Sequence, residues 1–111
     1  MYKVEQLLNY ANQKKSLTLP DGSVINMTLY YVDMQKGWFI RELTYGDFTV
    51  RGMRITRQPD LLYQFRNQIP FGLACFGTRE PTLIDDFIED VCQLYVLTED
   101  EVEEYSEFLR A

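Results

Sequence analysis

The stretch Pro81–Val102, PTLIDDFIEDVCQLYVLTEDEV, holds the sharpest change of pattern in the chain. Leu83, Ile84, Phe87 and Ile88 share a stripe at helical spacing, which predicts a short helix over Thr82–Glu89. Its solvent face would carry Asp85, Asp86, Glu89 and Asp90, with Asp85 and Glu89 one helical turn apart. Val91–Leu97 then reads as a buried strand containing Cys92, Leu94, Tyr95 and Val96. Thr98-Glu99-Asp100-Glu101 is a capping box: the Thr98 hydroxyl accepts from the amide three residues on, and Glu101 reaches back to the Thr98 amide. A closing amphipathic helix over 98–110 follows, with Val102, Tyr105, Phe108 and Leu109 as its apolar stripe and Arg110 at its negative end.

Working upstream, the pattern changes from helical spacing to period two. Val24–Val32 alternates Ile25, Met27, Leu29 and Tyr31 with Asn26, Thr28 and Tyr30, as a strand with one buried face does. Lys15–Leu19 precedes it across Pro20-Asp21-Gly22, a turn in which Pro presets φ and Gly accepts positive φ. The two segments therefore form a hairpin. Trp38–Leu43 is the next strand; apolar groups on both of its faces suggest covering from both sides, as in a small barrel or at a subunit contact. Phe48–Ile55 follows Tyr45-Gly46-Asp47 and is interrupted at Gly52, the place for a bulge or a close backbone approach. Gln58–Phe65 reads as a helical turn or short helix, and Phe71–Phe76 as a short apolar strand. Tyr2–Tyr10 fits a helix or a short strand equally. The expected fold class is α+β, mainly antiparallel β, a small sheet or barrel built from hairpins, with a short mid-chain helix and a C-terminal helix.

The 111 residues suit one β-rich domain spanning 1–111, with 98–110 as its helix. Net charge is −6, but unevenly spread: Met1–Arg79 carries ten basic and six acidic residues, Glu80–Ala111 one basic and eleven acidic. Such segregation suggests contacts between copies, a partner with a basic surface, or an acidic helix face in solvent. No apolar run reaches bilayer length, and the N-terminus lacks the apolar core of a signal peptide, so synthesis in a cytoplasm is expected, with no membrane partner. Cys75 and Cys92 lie in apolar runs and read as buried thiols rather than a disulfide.

Histidine is absent, which removes the commonest general base and metal ligand. No phosphate-binding glycine loop, EF-hand or nucleophile-elbow pattern occurs. No catalytic residue, cofactor or metal site is therefore assigned. The Asp85–Asp90 carboxylates are a cation or acid–base site only if a helix gathers them, and their plainer reading is a solvated helix face. Arg41, Arg51, Arg54 and Arg57 lie on and just beyond the second hairpin, among aromatic residues. An acidic chain repels phosphate backbones, so these arginines point to protein contact rather than nucleic acid. With Trp38 they form the candidate interface, since Trp, Tyr and Arg are enriched at interface hot spots.

One ordered set of residues resembles a known family. It comprises the Asp21-Gly22 hairpin, the Leu29-Tyr30-Tyr31 strand, Trp38, Gly52, Leu61-Leu62 and Pro70-Phe71-Gly72-Leu73. Glu80-Pro81-Thr82, Asp85-Asp86-Phe87, Val91 and Leu94-Tyr95 complete it. It resembles the baseplate plug family of contractile-tailed bacteriophages over roughly residues 12–98; the first ten residues and the helix Glu99–Arg110 fall outside the likeness. The resemblance implies a non-enzymatic structural protein of the virion, made in the host cytoplasm. It would sit in several copies at the distal end of the tail tube, against the hub, spike, tube or tape measure. Two other readings stand beside it. One is a small acidic binding or inhibitory protein, a nucleic-acid mimic or immunity-type factor, motivated by the acidic segment from Glu80 onward. The other is an enzyme using the Asp85–Asp90 carboxylates.

Overall fold

In the computed structural model, which describes residues 1–110, the chain folds as β1 (Tyr2–Lys3), β2 (Asn12–Thr18), β3 (Val24–Val32), β4 (Gly37–Tyr45), β5 (Phe48–Arg54), β6 (Gly72–Gly77), β7 (Cys92–Leu97) and α1 (Glu99–Arg110). It is a mainly antiparallel α+β domain with two sheets, ordered β2-β3-β4-β5 and β1-β7-β6. The first is a meander of hairpins. Its first turn is the one read from Pro20-Asp21-Gly22: Gly22 has φ +90°, and the Asp21 carboxylate accepts from the Ser23 amide at 2.9 Å.

Period two decides which face of the large sheet is buried. Ile25, Met27 and Leu29 of β3 point inward, next to Leu43 and Ile40 of β4. They meet Leu73 and Cys75 of β6 and Cys92, Leu94 and Val96 of β7 in one core between the sheets. At about 25 cal/mol per Å² of apolar surface, each fully buried Leu or Ile in this layer contributes about 2 kcal/mol. The second sheet buries its other face too. Ala74 and Leu97 pack against Val102 of α1, so the layers run large sheet, core, small sheet, helix.

The strand β4 departs from expectation. Leu29 pairs with Ile40 but Thr28 with Glu42, so Arg41 is an extra residue, a bulge that switches the side-chain alternation. Trp38 and Ile40 face inward before it and Leu43 after it. The two-sided apolar pattern therefore records a bulge within one half-buried strand, not a strand covered on both faces by this chain. Gly52, opposite on β5, has φ +73°. Beyond it the inward set shifts from Phe48 and Val50 to Met53 and Ile55.

Four further segments resolve the sequence reading, and one of them corrects it. Of the two forms read for Gln58–Phe65, the helical turn is the one present, a single 3₁₀ turn at Tyr63–Phe65, because the preceding segment pairs with β6 instead: Cys75 N–H donates to Gln58 O at 3.0 Å and Leu61 N–H to Leu73 O at 2.6 Å. Residues 82–90 form successive turns rather than a helix. The reason is Asp86. Its side chain turns inward and accepts from the amides of Thr82 and Leu83 at 2.9 and 2.8 Å, making a local alternative to helical pairing. The closing helix forms as read, with Thr98 N–H donating to Glu101 Oε1 at 2.9 Å and Glu101 N–H to Thr98 Oγ1 at 3.3 Å. Its packed side is narrow, however: Val102 and Ser106 are buried and Tyr105 meets Tyr63 edge-on, while Phe108 is 75% exposed. At the N-terminus, the ambiguous segment supplies the two-residue strand β1 against β7, followed by irregular chain that buries Val4 and Leu7.

Candidate interaction surface

The inner face of the large sheet is filled and α1 covers part of the small sheet's outer face. The large sheet's outer face carries no further layer. Cross-strand register arranges its side chains in rows. One row runs Asn12, Tyr30, Phe39, Arg54 and the next Lys14, Thr28, Glu42, Arg51. The rings of Tyr30 and Phe39 lie 5.5 Å apart. The Arg41 guanidinium sits 4.6 Å over Tyr30 and that of Arg54 5.4 Å over Phe39. Each such cation–π contact contributes about 0.5–1 kcal/mol at an exposed site. Each of these two cations is thus held over a ring of the sheet.

The predicted interface residues divide. Arg41, Arg51 and Arg54 share this face. Arg51 is paired with Glu42 at 2.9 Å, and Arg54 donates to the Gln35 and Lys36 carbonyls at 3.3 and 3.1 Å. Arg57 lies beyond the end of β5, where it donates to Gly77 O at 3.1 Å and its amide donates to the Glu80 carboxylate. Trp38 leaves the set: its ring is 0% exposed, so it meets no partner in this fold. It packs edge-on against Phe87 at 5.6 Å and Tyr31 at 5.5 Å, and its Nε1–H donates to Leu83 O at 3.2 Å. Tyr30, Phe39 and Lys14 belong to the surface in its place. The alternation in β3 already placed Tyr30 opposite the buried face; Phe39 needed the bulge at Arg41 to be assigned.

The acidic residues also divide. Asp86 is buried and chelated by Arg79, whose nitrogens stand 2.6 and 2.7 Å from its oxygens. Burial pushes the Asp86 carboxyl up, but the Arg79 guanidinium and the Leu83 and Thr82 amides outweigh it and hold it below the usual range. Asp85 accepts from Asn9 Nδ2 and Asp90 from Lys3 Nζ, both at 3.0 Å. The turns thus send these carboxylates to different partners, and among the described residues no group of three or more Cys, Asp or Glu side chains could hold a metal ion. Asp60, which the sequence did not single out, is 4% exposed. Its Oδ1 accepts from the Leu62 and Leu73 amides at 2.9 and 3.1 Å, while Oδ2 has no partner. Burial raises its pKa above the ordinary carboxylate value.

On α1, the carboxylates of Glu99, Asp100, Glu103, Glu104 and Glu107 are exposed and form no ion pair among the described residues, whereas Glu101 meets the Met1 amino group at 2.8 Å. No helix among the described residues is long and apolar enough to cross a membrane. Compared with known proteins, the chain matches no family model and no curated protein.

Proposed function

We propose that this chain is a structural component of a contractile phage tail baseplate, a plug-like protein at the distal end of the tail tube that acts through protein–protein interfaces. The observation that carries the reading is where the resembling residues lie. Trp38, Tyr31, Thr82, Asp86 and Phe87, far apart in sequence, form one cluster: Tyr31 Oη donates to Thr82 O at 2.7 Å, Trp38 stacks edge-on against Phe87, and Asp86 ties Thr82 to Arg79. These residues of the resemblance therefore share one packing role in this fold, which is what supports the reading. The aromatic and arginine-bearing sheet face supplies the interface such a role needs. Hub, spike, tube and tape measure are the partners it implies, with no cofactor and no turnover.

The experiment is reconstitution with the tail proteins encoded beside it. Co-elution with a hub, tube or tape-measure protein, and presence in purified tails, are expected. A chain that co-elutes with none of them and is missing from purified particles overturns the reading. The unpaired carboxylates of α1 favour a second reading, an acidic inhibitor of a basic host enzyme. That reading requires binding that weakens steeply with salt.

A further inference from the structure

The fold keeps two charged surfaces apart. On the outer face of the large sheet, Lys14, Arg41, Arg51 and Arg54 stand against one carboxylate, Glu42. On the far side of the molecule, α1 lies on the small sheet and turns a row of Asp100, Glu104, Glu107 and Phe108 outward at helical spacing. None of these helix carboxylates pairs with a sheet cation of the same chain, because the core and the small sheet lie between them.

We infer that copies of this chain associate head to tail, the outward row of α1 from one copy docking across the outer face of the four-stranded sheet of the next. The charges are opposite and each surface lacks its complement at home. Dimensions agree as well: a twelve-residue helix is about 18 Å long, and four strands span about 14 Å between their outer axes. The exposed Phe108 brings an aromatic ring to the face that displays Tyr30 and Phe39. Because the two surfaces differ, the contact is heterologous; it closes into a ring or continues as a filament rather than stopping at a two-fold dimer. The inference deepens the baseplate reading by supplying its contact between copies, and is tested on this chain alone, so each fails separately.

Sedimentation of the purified chain over a range of concentrations should show growth beyond the monomer in 50 mM salt, reversed at 500 mM, since the shorter Debye length at high salt screens the attraction between exposed charges. Glu104→Lys with Glu107→Lys, and separately Lys14→Glu with Arg41→Glu, should each abolish self-association while circular dichroism stays unchanged. Mixing the two variants is the decisive step. The intact helix of one meets the intact sheet of the other, and the two reversed surfaces are again opposite in charge, so the mixture is expected to regain the association that each variant alone has lost. A wild-type chain that stays monomeric at low salt overturns the inference, as does a mixture that regains no association. A sheet face that binds another tail protein while ignoring its own kind also overturns it, and leaves the baseplate reading standing.

Discussion

Arg79 grips Asp86 through both terminal nitrogens, at 2.6 and 2.7 Å, and the carboxylate it holds is 1% exposed. Around this pair the segment 79–87 folds back over Trp38. The same carboxylate oxygen that meets Arg79 Nη1 also accepts from the Thr82 and Leu83 amides, so one side chain organises a whole loop without regular secondary structure.

Asp86→Asn should therefore cost about 3 kcal/mol, since it weakens a charge-assisted fork and leaves one side-chain position facing the wrong partner. Asp86 has a lowered pKa in the fold, so its stabilisation is present above the unfolded value of 3.8 and lost as pH falls through the folded one. Denaturant titrations at pH 7 and pH 3 should show the difference between wild type and variant shrinking at the lower pH. An unchanged difference would remove the ion pair as the cause.

Asp60 should behave in the opposite sense. Burial raises its folded pKa above 3.8, so folding favours the protonated form; that advantage is complete below the unfolded pKa and is lost as pH rises through the folded one. Asp60→Asn keeps an oxygen for the Leu62 and Leu73 amides and carries no charge. Relative to this variant, wild type should be less stable at pH 7 than at pH 4. A parallel pair of stability curves across that window would contradict the assignment.

Two glycines should respond unequally to alanine. A Cβ at Gly77 would stand 2.6 Å from the Val91 carbonyl oxygen and 2.9 Å from the Cys92 Cα, both backbone atoms that cannot step aside. Gly77→Ala should cost about 1–3 kcal/mol through this overpacking. At Gly22 a Cβ meets nothing within 4 Å, and only the φ of +90° opposes it, a cost of about 1–2 kcal/mol. Thermal melts should separate them by mechanism: Gly22→Asn, which tolerates positive φ, should recover part of the loss, whereas no substitution at Gly77 should.

Cys75 should be inert to alkylation in the folded protein. Burial, with the neighbouring Cys92 adding to it, pushes its thiol up to about 12, so little thiolate exists at pH 8. Mass spectrometry after iodoacetamide treatment should find Cys75 unlabelled until denaturant is added. Rapid native labelling would mean that the β6–β7 layer opens.

Much of this architecture was legible because its causes are local. The alternation of Ile25, Met27 and Leu29, the Pro20-Asp21-Gly22 turn and the Thr98–Glu101 capping box each depend on residues a few positions apart, and each stands in the fold as read. That Arg41, Arg51 and Arg54 share a face was not legible in this way: Arg51 and Arg54 are three residues apart, and only the paired irregularity at Arg41 and Gly52 brings them to one side of the sheet. What failed depended on partners far along the chain. Residues 82–90 had a helical stripe, but Arg79 and the backbone amides drew Asp86 inward and broke the helix into turns. Trp38 had the composition of an interface anchor, but Phe87, 49 positions on, covers it. Phe108 was read into the apolar stripe, but Val102 and Ser106 set the buried side of α1 and Phe108 faces away from it.

Taken alone, then, the sequence determined the strands β2 to β7, the hairpin turns, the capped helix and the separation of charge along the chain, because short-range sterics and hydrogen bonding settle those. Only the tertiary structure decided which face each charge occupies. The bulge at Arg41 turned Phe39 and the arginines outward together, and packing of Val102 on Ala74 and Leu97 sent the acidic helix to the opposite side. Burial is a property of the assembled layers, and no local pattern encodes which layer is left uncovered.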